Sequence, residues 1–511
     1  MIWTIANKEF LLNLITFKFT VGTILCVVLM SVFMPVLVND YQLRLQEYNE
    51  NVTDTQADLR TAKVYMNINM GGRYMVHRPP SILSVFSKGV ENQLASSVKI
   101  ETNTVPGLSA RSSEVNPYLS VLPTMDISLI FKIVVSVLAL LVACDVISGE
   151  REQGTLKLIL SGTVARHQVL LGKLLAGQLT LLVPLTISFL VGLSMLLFSP
   201  MVDLTASDWA RISLIYVASV IFVSAIYNVG LFVSTLTKRS AISLIAGLFF
   251  WIVFIMVVPN AAVYFATQIA PLEPEEKVNS QLELIEQQGQ AEVGKVRGGI
   301  PGPGGNEVSN FYDNLRFYVL VCDKKGMEWR QKFHAALSPL YIKYADKLWQ
   351  IEHLHFKSLL QQKQLTNNFS RISPISMYDY IMSNLADTDT ASCQYFIDRA
   401  KAHREEVIDY LRLKTDRFSS ASYFTQCTEA DMAVYQEYLD GKIPEDDFQK
   451  WKEKKIAQMI PLDLRDFPQF IYQPSVAKSF NRAIPDLALL FFISVLFFVL
   501  SFVTFLKYDV R

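Results

Sequence analysis

Six stretches of this chain stay apolar for about 20 residues or more, enough for a helix to cross the ~30 Å hydrocarbon core of a bilayer. They are Phe19–Val38, Ile127–Ile147, Leu174–Phe198, Ile212–Leu236, Ala241–Ala266 and Leu487–Leu506. The last reads LALLFFISVLFFVLSFVTFL and carries no charge. Backbone N–H and C=O groups cannot be left unpaired in lipid, so these stretches are predicted to be spanning helices. Pro184 and Pro259 fall inside two of them, which such helices tolerate where neighbours satisfy the freed carbonyls. The fold class is therefore an α-helical polytopic membrane protein. The first stretch follows eighteen mostly apolar residues, and no small-x-small cleavage site precedes NDYQLRLQEY, so it reads as a retained anchor.

Short loops set the expected orientation. Lys8 and Lys18 precede the first span, and Arg151, Lys157, Arg166 and Lys173 lie between the second and third. Lys238 and Arg239 separate the fourth from the fifth, and Lys507 and Arg511 follow the sixth. The third-to-fourth connection, SPMVDLTASDWAR, has two aspartates and only the flanking Arg211. The positive-inside rule then puts both termini, 1–18 and 507–511, and the loop 148–173 in the cytoplasm. By parity, residues 39–126 and 267–486 are two large extracytoplasmic insertions. Formal net charge is zero, with no basic run interleaved with aromatics, so nothing points to a nucleic-acid partner.

The first insertion opens with YQLRLQEYNENVTDTQADLRTAKVY, free of Gly and Pro, which predicts a helical stalk continuing the first span. From about Met66 it turns rich in turn and β-branched residues, so a mixed α/β unit is expected. The second reads mainly α, with helices at Glu275–Val293, Met327–Gln364, Ser392–Lys414 and Glu429–Leu439. VGKVRGGIPGPGGNE between the first two is predicted to be a linker. Cys26 and Cys144 lie in or beside spans, while Cys322, Cys393 and Cys427 fall where disulfides persist. A Cys393–Cys427 bridge is one of three pairings open to them.

The cytoplasmic loop is the segment with the most chemistry. Asp145 sits at the inner end of the second span, followed by Glu150, Arg151 and Glu152. Gly154 allows a sharp turn, after which Thr155 is placed to cap a short helix with Leu156, Ile159 and Leu160 on one face. Arg166 then begins a second amphipathic turn leading to Gly172 and Lys173. Such a loop suits a rigid lever that offers an apolar knob to a soluble partner; the plainer alternative is a juxtamembrane helix resting on headgroups. Upstream, Trp3, Ala6, Phe10, Leu14 and Phe17 share one helical face, predicting an interfacial N-terminal helix over 1–18.

These residues resemble the type-2 ABC exporter permeases. Their second-to-third connection carries an acidic-basic-acidic cluster, Gly-Thr-Leu, then Arg and Gly-Lys, matched here by Glu150, Glu152, Gly154, Thr155, Leu156, Arg166, Gly172 and Lys173. Thr163-Val164 stands where a proline often precedes the arginine. The likeness covers the membrane portion and extends poorly outside it. It is similar to the subgroup linked to gliding motility and copper-enzyme maturation. The resemblance implies a coupling helix at Glu152–Ser161 hinged on Asp145–Arg151, and an interfacial elbow helix at the N-terminus. It also implies a bacterial inner-membrane location, a dimer of ABC ATPase subunits that binds ATP and Mg, a second permease copy or homologue, and an envelope partner outside. A membrane-anchored sensor or scaffold is the alternative.

No cofactor and no catalytic residue is expected in this chain. GxxxxGK[ST] does not occur: Gly172-Lys173 has His167 in the first glycine's place and Leu174 after it. HExxH is also missing, and His353 and His355, two apart, face different sides of a helix, so no metal site is expected. Lys132 near the outer end of the second span is expected to snorkel, and Tyr227, Asn228 and Asn260 to make helix–helix contacts.

Overall fold

The computed structural model describes residues 1–69, 74–91, 94–107, 126–161, 164–200, 202–302, 309–313, 316–321, 324–419, 425–426 and 428–507. Six helices are long and apolar enough to cross a membrane, as the six apolar stretches require. The first, α2 (Phe17–Arg60), follows a separate N-terminal helix α1 (Ile2–Leu14). At 1.5 Å per residue α2 is about 66 Å long, twice the hydrocarbon thickness, so one helix serves as both span and stalk. The second span, α4 (127–143), comes after the one-turn helix α3 (Met66–Asn69). It contains a π-helical stretch at Phe131–Val135. Two short helices, α5 (Ser148–Glu152) and α6 (Thr155–Ser161), lead into α7 (Arg166–Leu197) and α8 (Ala206–Leu236).

The fifth span, α9 (Ser240–Ile269), also has a π-helical stretch, at Val253–Val257, just before Pro259. α7 begins eight residues ahead of the expected third span, so Arg166, Gly172 and Lys173 belong to the spanning helix and not to a separate turn. The sixth span is the upper part of α16 (Val476–Leu506), whose first turns carry Lys478, Arg482 and Asp486.

Burial sorts the spans. In α4 and α8, 67 % and 61 % of the most apolar window is buried, so these two form the centre of the bundle. In α9 and α16 the shares are 11 % and 22 %, leaving their apolar faces to lipid or to another subunit.

The polar insertions are not two separate units. One core joins Ala62, Tyr65, Tyr74 and Val98 of the first to Phe396, Ile408, Leu411 and Phe448 of the second. The first contributes the antiparallel pair β1 (Met75–His77) and β2 (Ser97–Lys99). The second contributes α10 (Glu275–Gly299), α11 (Lys324–Ser370), α12 (Pro374–Leu385), α13 (Thr390–Lys414), α14 (Glu429–Leu439) and α15 (Glu445–Gln458). It also has a three-stranded sheet, β3 (Ser309–Asp313), β4 (Arg316–Val321) and β5 (Thr425–Gln426). The VGKVRGG half of the expected linker is helical, because α10 runs on to Gly299 before Ile300-Pro301 stops it.

Helix α15, the strands β3–β5 and, most consequentially, helix α12 were not anticipated. Helix α12 is capped by Ser373, starts at Pro374, and buries Ile375, Tyr378, Ile381, Met382 and Leu385. Although it lies in the second polar insertion, its apolar side chains belong to the membrane bundle's core and not to the insertions' own.

Candidate functional site

At the end of the bundle away from the insertions, α4 stops because α8 supplies a competing set of hydrogen bonds. Ser234 Oγ donates to the Cys144 carbonyl at 2.8 Å and accepts from the amides of Ile147 and Ser148 at 3.1 and 3.0 Å. One hydroxyl thus closes α4 and opens α5. Gly154 then takes φ +74, a left-handed conformation that L side chains adopt only at a cost, and turns the chain into α6.

The charged residues of this loop are spent mainly on neighbouring membrane helices. Arg151 Nη1 donates to the Thr237 carbonyl just past the end of α8, at 3.0 Å. Glu152 Oε2 accepts from the Ser240 amide at 2.9 Å, a carboxylate at the positive end of α9. Lys173 in α7, with 3 % of its side chain exposed, donates to Glu150 Oε1 at 2.7 Å and to Glu9 Oε1 in α1 at 3.2 Å. Asp145 pairs with Lys18 at 2.6 Å, where both side chains are about half exposed. Arg166 Nη1 donates to the Leu506 carbonyl at the end of α16, at 2.6 Å. The bonds of this short loop and its flanks therefore reach α1, α2, α7, α8, α9 and α16.

Close packing holds the lysine in place. A Cβ on Gly172 would come within 2.8 Å of the Ile5 side chain and 3.2 Å of the Ile2 carbonyl, so the glycine lets α1 lie directly on α7. A Cβ on Gly177 would meet the Tyr227 ring at 2.1 Å, and the Tyr227 hydroxyl donates to the Lys173 carbonyl at 3.1 Å.

The apolar face of α6 requires a correction. Leu156 is fully buried in the chain's own core and Ile159 is packed partly against it, so these two side chains turn inward and offer no knob. The exposed large side chain is Leu158, at 76 %. Gly154, Thr155 and Lys157 are exposed beside it. The side chain of Leu160 lies outside the described residues. In α1, Ala6 is buried and Trp3 is 67 % exposed, while Phe17, 82 % exposed, belongs to α2 and not to the N-terminal helix. The inward stripe is Ile2, Ile5, Ala6, Glu9 and Asn13, with Phe10 and Leu14 half-buried at its side. Two polar members are used, Glu9 on Lys173 and Asn13 Nδ2 on Thr180 Oγ1 at 3.3 Å. Hydrophobic periodicity missed this stripe because Glu9 and Asn13 count as polar wherever they point.

At the opposite end, α12 holds four spanning helices. Tyr378 stacks on Phe222 of α8 with ring centres 4.3 Å apart, and its hydroxyl lies 2.9 Å from Ser219 Oγ. Asp379 binds Lys132 of α4 at 2.9 Å. Burial raises the Asp379 carboxyl above the usual range, opposed by the Lys132 ammonium. Lys132 therefore does not snorkel. Ser373 Oγ donates to the Phe254 carbonyl of α9 at 2.8 Å. Arg371, between α11 and α12, pairs with Asp486 of α16 at 2.5 Å. Lys132 and Phe254 each sit in a π-helical stretch, a local departure from α geometry often found where a helix serves a function.

Cys393 is a free, buried thiol that accepts from Arg78 Nη1 at 2.8 Å, so it is not bridged; Cys427 lies outside the described residues. Asn228 Nδ2 donates to the Ser494 carbonyl and hydroxyl at 3.0 Å, tying α8 to α16, whereas Asn260 Nδ2 donates to the Met256 carbonyl within its own helix. Among the described residues, no group of three or more His, Cys, Asp or Glu is placed to hold a metal ion.

Compared with known proteins, residues 3–510 match the family model described as ABC-2 family transporter protein. No curated protein matches the chain.

Proposed function

The chain belongs to the ABC-2 transporter family, and on that premise we propose that it is a permease subunit driven at the α5–α6 loop by a separate ABC ATPase. The family's membrane subunits work with such an ATPase, so ATP and Mg are bound in the partner. The carrying observation is the set of bonds from Glu150, Arg151 and Glu152 to α7, α8 and α9. A push on this loop reaches three spanning helices through direct side-chain bonds. In this reading Gly154, Thr155, Lys157 and Leu158 form the contact edge, and Asp145–Arg151 is the hinge. The loop and both termini are cytoplasmic, the insertions are extracytoplasmic, and the membrane is the bacterial inner membrane.

Six spans make half of the usual membrane assembly, so a second permease, identical or homologous, completes it. The thinly buried faces of α9 and α16 supply surface for that contact. Of the two outputs open to such a machine, export or mechanical work on an envelope partner, the anchoring of α12 favours the mechanical one. That helix is part of the insertion yet is bonded to α4, α8, α9 and α16, either directly or through residues adjoining it. This output accords with the likeness to gliding-motility and copper-enzyme-maturation permeases.

The test is a Leu158→Cys variant of the full-length protein, reacted with a short bifunctional reagent in membranes that contain the co-expressed ATPase. The expected result is a cross-link to the ATPase that changes with bound nucleotide. Labelling of the introduced thiol only by reagent supplied from the far side of the bilayer, with no cross-link, rules the proposal out.

A further inference from the structure

A cavity of about 680 Å3 lies where α4, α11, α12 and α16 meet. Three ion pairs form its wall: Lys132–Asp379 at 2.9 Å, Arg371–Asp486 at 2.5 Å and Arg482–Asp389 at 3.2 Å. Two further lining groups, Lys363 and Asp126, have no opposite charge within ion-pair distance among the described residues. Lys363 Nζ reaches only the hydroxyl of Thr390. Asp126 accepts from the amides of Leu129 and Lys88 and from Ser128 Oγ, capping the first turn of α4.

Among the described residues the lining thus has four cations and four carboxylates, and no net charge. Its charges are not evenly spread. The odd carboxylate, Asp126, lines the cavity together with the Lys132–Asp379 pair and raises the Asp379 carboxyl's affinity for a proton. The odd cation, Lys363, lies beside the Arg482–Asp389 pair, where burial holds its ammonium below the ordinary lysine value. Arg482 Nε, also in that region, has no hydrogen-bond partner among the described residues.

An anion alone could satisfy Lys363 but would add uncompensated charge to a neutral cavity. A cation alone would do the same at Asp126. A ligand carrying both charges meets both ends without opening any wall ion pair. Depth supports the same class, because Asp126 caps the helix turn at which α4 enters its apolar span, the level of lipid headgroups.

We propose that this cavity binds an aminoalkyl phosphodiester, a zwitterion with one charge of each sign, its phosphate at Lys363, Thr390 and Arg482 and its ammonium toward Asp126 and Asp379. The group can arrive on a phospholipid or free in solution. Neither source depends on the ATPase assignment.

The test uses the full-length protein in dodecyl maltoside, titrated with glycerophosphoethanolamine, dihexanoyl phosphatidylethanolamine, inorganic phosphate, ethylamine and dihexanoyl phosphatidylglycerol. At least one zwitterion is expected to bind, with each single-charge probe weaker by about tenfold or more. Binding of the lipid alone identifies a headgroup site; binding of glycerophosphoethanolamine as well identifies a site open to the free zwitterion. Lys363→Gln is expected to weaken zwitterion binding by about tenfold and Lys363→Arg to retain it. Thr390→Val, which keeps every wall ion pair, provides a second reading should Lys363→Gln fail to fold. The proposal is overturned if phosphate or phosphatidylglycerol binds as well as the zwitterions, if neither zwitterion binds, or if affinity is unchanged in the folded variants.

Discussion

Lys173 and Glu150 approach to 2.7 Å across the junction of a spanning helix and the α5–α6 loop, and the lysine has almost no contact with solvent. With Glu9 at 3.2 Å, a single ammonium gathers carboxylates from α1 and α5 onto α7. The arrangement makes the N-terminal helix part of the same lever as the loop.

Replacing Lys173 by Met leaves two partly buried carboxylates without their cation. Removing one partner of a buried pair costs about 3 kcal/mol or more, since the other stays desolvated. Lys173→Met should therefore lower thermal stability in detergent, and adding Glu150→Gln should recover part of the loss. Simple additivity of the two effects would mean that the contact is energetically idle.

Leu156 and Leu158 are two residues apart and should behave oppositely. Leu156→Ala opens a cavity in the core and is expected to cost about 2–4 kcal/mol. Leu158→Ala touches no core and should stay within about 0.5 kcal/mol of the parent. In the proposed complex, however, Leu158→Ala should weaken binding of the ATPase subunit by about tenfold. Unfolding curves and pull-down titrations on the two variants separate the roles.

Tyr378 joins α12 to the bundle through both its ring and its hydroxyl. Tyr378→Ala removes a fully buried ring and is expected to cost about 3–5 kcal/mol. Tyr378→Phe keeps the stack on Phe222 and loses only the Ser219 bond, for about 1 kcal/mol. A double-mutant cycle on Lys132 and Asp379 should return about 1 kcal/mol, because the pair is partly open to water. If Tyr378→Ala were as stable as Tyr378→Phe, α12 would not be anchored as described.

Three buried histidines in the insertions make this part of the protein acid-sensitive. Burial lowers the proton affinity of His77 and His403, and pushes His334 down from 6.5 to about 4, helped by Arg330. Below pH 6.5 the unfolded chain takes up protons that the folded chain refuses, so stability falls as pH drops. The histidine contribution is complete above about pH 6.5 and lost progressively toward pH 4, with His334 worth on the order of 3 kcal/mol. Stability measured from pH 8 to 4 should show this slope, and His334→Asn should flatten it. An equal slope in that variant would assign the effect to other groups.

Much of the membrane architecture was legible in the residues themselves. A run such as Leu487–Leu506 has no stable alternative to a spanning helix, because lipid offers its backbone no hydrogen bonds. The stalk on α2 was readable too, since Gly- and Pro-free polar sequence continues a helix already begun. What stayed hidden was direction. Leu156 and Leu158 are equally apolar, and only the left-handed turn at Gly154 and the packing of α6 against the core decide which faces out. Glu9 and Lys173 are 164 positions apart, and their pairing depends on Gly172 letting α1 settle on α7. Helix α12 was missed for the same reason: twelve residues with an apolar stripe are too short to announce a place in the bundle. Hydropathy is a local property of the chain and determined which segments enter lipid; the neighbours of each charge and each apolar face were decided only by the tertiary packing of elements distant in sequence.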